Sequence, residues 1–106
     1  MEKKYKCAVR STLSVIGGRW KTLILHHLSI NEVMRFNQLQ KAIGDITQRM
    51  LTSQLRELEK DGIVNRKVYA EVPPRVEYNV TEYGKSLFPI LQAMCDWGEQ
   101  HTKRNS

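Results

Sequence analysis

The join at Asp61-Gly62 constrains the fold more than any other stretch of the chain. Before it, Leu51, Leu55 and Leu58 recur at i, i+4 and i+7, the spacing of one helical face. After it, Val64, Val68, Tyr69, Val72, Val76, Tyr78 and Val80 are β-forming residues. A helix must stop here and a hairpin must begin. Thr47 is placed to cap the helix, because its hydroxyl can accept an orphan first-turn amide. Pro73-Pro74 cannot donate to a strand ladder and so belongs at the turn. The expected elements are a helix over 47–60, a strand over 64–70, a tip around 71–75 and a strand over 76–80. Alternation is clean in the second strand. In the first, Arg66 shares a face with Val64 and Val68, so the pattern sets its register less firmly.

Three helical segments precede this unit. Leu13, Ile16 and Trp20 have helical spacing, interrupted by Gly17-Gly18. A second helix is expected from residue 19 or 20 to 28, with Trp20, Leu23, Ile24 and either His27 or Leu28 on one face. Phe36, Leu39 and Ile43 mark a third, ended by Gly44-Asp45. Beyond the hairpin, Thr81 is expected to cap a final helix. Leu87, Phe88, Ile90, Leu91, Met94, Cys95 and Trp97 give that helix a broad apolar band. Pro89 either kinks it or lies in the first turn of a second piece. The band is wider than one covered face needs, which suggests a partner surface. Helix, turn, helix and two-stranded hairpin is the order of a winged helix-turn-helix. The fold expected is mainly α with a small β-hairpin wing, in a single domain over 1–106 with the helix-turn-helix core at about 19–80.

Charge points the same way. The chain carries 17 Lys and Arg against 11 Asp and Glu, a net +6. Residues 1–70 hold 13 basic and 6 acidic side chains, and residues 71–106 hold 4 and 5. The first two-thirds carries the whole excess, and a one-sided basic field attracts phosphate. Opposite the leucine stripe of the 47–60 helix fall Arg49, Thr52, Ser53, Arg56 and Lys60. Its first two turns present Thr47, Gln48, Arg49, Thr52 and Ser53 to a major groove about as wide as one helix. Arg49 suits the bidentate contact to guanine and Gln48 the one to adenine. Arg56 and Lys60 lie farther along and suit phosphates, as does Lys21 on the second helix. Arg75 on the rigid Pro-Pro tip suits the minor groove or its rim, and Lys67 lies on the strand leading there. The plainer readings are a solvated helix face and an ordinary turn arginine. The coincidence of basic half, element order, polar first turns and basic tip favours double-stranded DNA.

Other classes find little support. No apolar run approaches the ~20 residues of a membrane span. The charged start, Met1 to Lys6, lacks the apolar stretch of a signal peptide, so a cytoplasmic location is expected. Cys7 and Cys95 match no metal or redox spacing and read as free thiols. His26 and His27 are adjacent, so on a helix they point about 100° apart and do not chelate one metal. No catalytic constellation, metal site or cofactor motif is expected, and hence no enzyme. The rival reading is a winged helix for protein contact without DNA readout, in which residues 47–60 would expose apolar or acidic groups instead of Arg49, Arg56 and Lys60. Duplex RNA is disfavoured because its major groove is too narrow for a helix.

Five strings resemble the HxlR family of bacterial winged-helix regulators, relatives of the MarR group. They are Leu13-Ser-Val-Ile-Gly-Gly-Arg-Trp-Lys21, Arg35-Phe36 with Leu39, the run Ile46 to Gly62, the run Val68 to Tyr78 containing Val-Pro-Pro-Arg-Val-Glu-Tyr, and Thr81-Glu-Tyr-Gly84. The resemblance covers nearly the whole chain. It implies a transcription regulator, with repression the expected mode, acting as a homodimer on an inverted-repeat operator. The dimer would form through helices at about 8–16 and 82–102, with Leu13, Leu91, Met94 and Trp97 as contacts. Gln48, Arg49, Thr52 and Ser53 would face the groove and 71–75 would form the wing. Members similar to this chain sense electrophiles or oxidants through an N-terminal cysteine, which implies that role for Cys7. Lys3, Lys4, Lys6 and Arg10 could favour its thiolate. The family's Cys-Pro-Val is Cys7-Ala8-Val9 here, and a packed, unreactive cysteine is the alternative. Cys95 reads as interface packing.

Overall fold

The computed structural model describes the backbone of residues 2–105 and the side chains of residues 8–105. The described elements are α1 (Glu2–Ile16), α2 (Lys21–Asn31), β1 (Val33–Arg35), α3 (Phe36–Ile43), α4 (Gln48–Lys60), β2 (Val64–Tyr69), β3 (Arg75–Val80), a 3-10 turn (Gly84–Leu87) and α5 (Phe88–Arg104). They make a mainly helical winged helix, as the sequence pattern leads one to expect.

The local causes are visible in α4. Thr47 has extended backbone, and its Oγ1 accepts a hydrogen bond from the Met50 amide at 3.1 Å. Leu51, Leu55 and Leu58 are buried and pack in one core with Ile24, Leu25 and Leu28 of α2 and Leu39 of α3. The helix exits through Gly62, whose φ of 74° is a conformation that a side chain disfavours.

The wing strands β2 and β3 pair antiparallel, with Val64 opposite Val80, Arg66 opposite Tyr78 and Val68 opposite Val76. Arg66 therefore does share a face with Val64 and Val68. A third strand, which sequence periodicity does not reveal, joins this hairpin. β1 pairs with β3, giving the order β1-β3-β2 with Met34 opposite Tyr78. Met34, Val64, Tyr78 and Val80 are buried and close the core from the sheet side.

Thr81 does not cap the last long helix. Its hydroxyl accepts from the Gly84 amide at 2.8 Å and donates to the Gly62 carbonyl at 2.7 Å, which ties the exit of the wing to the exit of α4. The backbones meet closely there, and a Cβ on Gly84 would lie 2.3 Å from the Ile63 carbonyl oxygen. The helix proper starts at Phe88 with Pro89 in its first turn, where a missing amide costs nothing. Of the two readings of Pro89, the broken helix holds. Leu91 corrects its expected assignment: it is only 6% exposed and belongs to the monomer core. Two helices are longer than their apolar patterns suggest. α1 begins at Glu2 and α2 continues to Asn31.

Replacing Thr47 with Ala removes the first-turn cap of α4. The unfolding free energy should fall by about 1 kcal/mol in urea denaturation. An unchanged midpoint would show that the cap contributes nothing.

Candidate nucleic-acid interface

Because the leucine stripe of α4 turns inward, the opposite side of the helix must face out. Thr47, Gln48, Arg49 and Ser53 are exposed, Thr52 is half-buried, and Arg56 and Lys60 extend the face. Met50 is also exposed beside Arg49, a neighbour that polarity alone does not single out. Among the described residues, Arg49, Arg56, Lys60 and Lys67 form no ion pair with a carboxylate. Their donors are thus available to an acceptor from outside. Arg49 offers a planar fork suited to two parallel bonds, and Gln48 offers one donor and one acceptor group.

Lys21 is not among these free cations, which corrects its assignment as a phosphate contact. Its side chain is 7% exposed, and Nζ lies 2.7 Å from Glu57 Oε1. Burial commits the ammonium to a partner within the protein. Lys21 is the first residue of α2 and Glu57 lies late in α4, so the pair clamps the two helices together. It also offsets a carboxylate that stands one residue beyond Arg56.

Arg75 likewise does not project freely from the wing. Its guanidinium lies 4.0 Å over the Tyr69 ring, with Nη2 3.4 Å from Glu71 and Nε 3.6 Å from Glu77. Only 29% of its side chain is exposed, and Nε is buried without a hydrogen-bond partner. The arginine braces the base of the tip through stacking and two carboxylates. Lys67 stands nearby with Nζ 5.0 Å over the same ring, and it is exposed. Arg66 carries a charge that the sequence pattern treated only as a register irregularity. It is partly exposed, with Nε 3.4 Å from Glu59.

A second surface lies on α1 and α5. Val9, Leu13, Ile90, Met94 and Trp97 are exposed apolar side chains, with Trp97 69% exposed and stacked on His101 at 4.9 Å. Cys95 is half-buried, with Sγ 3.8 Å from His26 Nδ1 on α2. Burial, and then the charge of His26, hold the His27 imidazole below the ordinary histidine range. Cys7 falls within the backbone of α1, but its side chain lies outside the described residues. Among the described residues no group of His, Cys, Asp and Glu is arranged to hold a metal. No described helix is long and apolar enough to cross a membrane.

Comparison with known proteins gives a consistent result. The model of a family described as HxlR-like helix-turn-helix matches residues 15–106. The HTH-type transcriptional regulator YdeP of Bacillus subtilis is 53% identical over 92% of this chain and 76% of that protein. The crystal structure of the regulator YtcD superposes with a TM-score of 0.86 at 52% identity, covering 90% of this chain and 96% of that one. The redox regulator HypR in its oxidised form gives 0.84 at 54% identity, covering 89% and 96% respectively.

The Lys21–Glu57 pair should respond asymmetrically to mutation. Glu57→Ala leaves a buried ammonium unpaired and should cost about 1–3 kcal/mol of stability. Lys21→Met keeps the buried stem and leaves a solvated carboxylate, so its cost should stay within about 1 kcal/mol. Urea titration of both variants measures this, and equal losses would contradict a buried clamp.

Proposed function

The chain belongs to the HxlR-like helix-turn-helix family of transcription regulators, and on that premise we propose that it binds a specific operator in double-stranded DNA as a homodimer. The observation that carries this reading is the outward-facing set Gln48, Arg49 and Ser53 on the capped first turns of α4, with no ion pair on Arg49 among the described residues. With Thr47 and Thr52 these residues read base edges. Arg56, Lys60 and Lys67 meet phosphates on either side. Arg75 serves by holding the wing in shape. We also propose repression as its mode: a regulator bound where an operator overlapped a promoter would obstruct transcription by occupancy alone.

The exposed apolar side chains Leu13, Met94 and Trp97, with Val9 and Ile90, support dimerisation through α1 and α5. Two copies related by a two-fold axis would present two α4 helices to successive major grooves, which calls for an inverted repeat. These basic, outward-facing residues also favour DNA over the alternative of a protein-contact module without base readout.

The signal we propose is oxidation or alkylation of Cys7. Its support is the likeness to HypR, described as a redox regulator, together with Lys3, Lys4 and Arg10 at helical spacing from Cys7 along α1.

On a tightly bound duplex, Arg49→Ala should lose about 1–3 kcal/mol of discrimination at one base pair and tolerate the other bases there. A uniform loss on all duplexes would make Arg49 a phosphate contact instead. Diamide should lower operator affinity in the wild type but not in Cys7→Ser. The same response in both would remove Cys7 as the sensor.

A further inference from the structure

Between α4 and the wing lies a cleft of about 180 Å³, lined by Thr52, Leu55, Arg56, Glu59, Arg66 and Tyr78. Its construction follows from two periodicities. Thr52, Arg56 and Glu59 stand at i, i+4 and i+7, so they share one side of α4, between the core stripe and the groove face. Arg66 of β2 and Tyr78 of β3 are cross-strand partners, so their side chains leave the sheet on the same face. Buried Leu55 lies between the two sets. This explains why an arginine stands in line with Val64 and Val68: at that point the inner face of the sheet opens onto the cleft rather than onto the core.

The chemistry of the lining selects an anion. Two guanidinium groups stand against one carboxylate, a net positive site. Glu59 meets Arg66 at Nε, 3.4 Å away, and leaves the terminal nitrogens of the fork to another acceptor. Arg56 has no carboxylate partner among the described residues. Thr52 supplies a hydroxyl at the edge of the face that meets the groove. Tyr78 is buried, and burial pushes its phenol upward. The charges of Arg66 and Arg56 oppose that rise and Glu59 adds to it, so the hydroxyl remains a protonated donor at neutral pH.

We propose that this cleft binds one phosphate of the DNA backbone, held by Arg66 and Arg56 with the hydroxyl of Tyr78, and that Glu59 competes with it for Arg66. The inference rests on the DNA-binding reading and adds to it a contact on the inner flank of the wing. In free protein Glu59 holds Arg66. In the complex the phosphate displaces Glu59 or shares the guanidinium with it, so every duplex pays a small, sequence-independent penalty for entering.

The test is the salt dependence of duplex binding by the full chain. Arg66→Ala should bind about tenfold more weakly at low salt, and its slope of log K against log salt should flatten by about 1, the loss of one phosphate. Glu59→Gln should bind about threefold more tightly. Tyr78→Phe keeps the ring in the core and should weaken binding a few-fold with the slope unchanged, because it removes a neutral donor. Circular dichroism and urea midpoints of each variant separate these effects from misfolding. An Arg66→Ala slope equal to that of the wild type, in folded protein that binds DNA, would overturn the cleft assignment alone. A wild type that shows no salt-dependent duplex binding would instead overturn the DNA reading. At matched ionic strength, inorganic phosphate should inhibit no more than chloride. If phosphate competes selectively and only when Arg66 is present, while the slopes agree, the cleft is a site for the free anion and the assignment to DNA fails.

Discussion

The placement of α4 depends on one buried ammonium group. The leucine stripe decides which side of α4 faces inward, but apolar packing tolerates small slides and tilts along a helix. A charge is less forgiving. Lys21 sits at the start of α2 with its head group removed from water, and Glu57 lies 2.7 Å away. Any shift that parts them leaves a buried charge uncompensated. The pair thus fixes where along α2 the helix stands, and with it how far Thr47–Ser53 project. The same contact offsets an acid on a helix that also presents Arg49, Arg56 and Lys60.

The net charge of +6 overstates what is free to meet DNA. Arg19 is spent on Asp45 at 2.6 Å, Lys21 on Glu57, Arg75 on Glu71 and Glu77, and Arg66 in part on Glu59. What remains on α4 and β2 is a compact set: Arg49, Arg56, Lys60 and Lys67. In the proposed complex the internally paired cations shape the surface, and those without a carboxylate partner among the described residues give it affinity. The apolar side chains left exposed on α1 and α5 are the surface proposed for dimerisation.

How much of this the sequence disclosed follows from physical range. The α4 cap, its buried stripe and the hairpin register depend on neighbours a few residues apart, and periodicity reports them directly. β1 was hidden because three residues are too short to show alternation. The end of α2 was hidden because the chain turns at Glu32, which adopts a φ of 63° without being a glycine. The pairing of Lys21 is hidden for a different reason. A lone basic residue looks available until its carboxylate is found, and Glu57 is 36 residues from Lys21. The structure places Leu91 in the core because α5 packs against α2, and band width alone does not divide core from interface. Arg66 was legible only as an irregularity, and its meaning needed the cleft behind it.

The central claim is that the first two turns of α4 read base sequence in duplex DNA. Repeated selection of binding sites from a random duplex pool with the full chain tests it most directly. The account predicts convergence on an inverted repeat whose half-sites lie about one helical turn apart, or a multiple of that. A pool that returns without sequence enrichment, although the protein retains it, would contradict the claim.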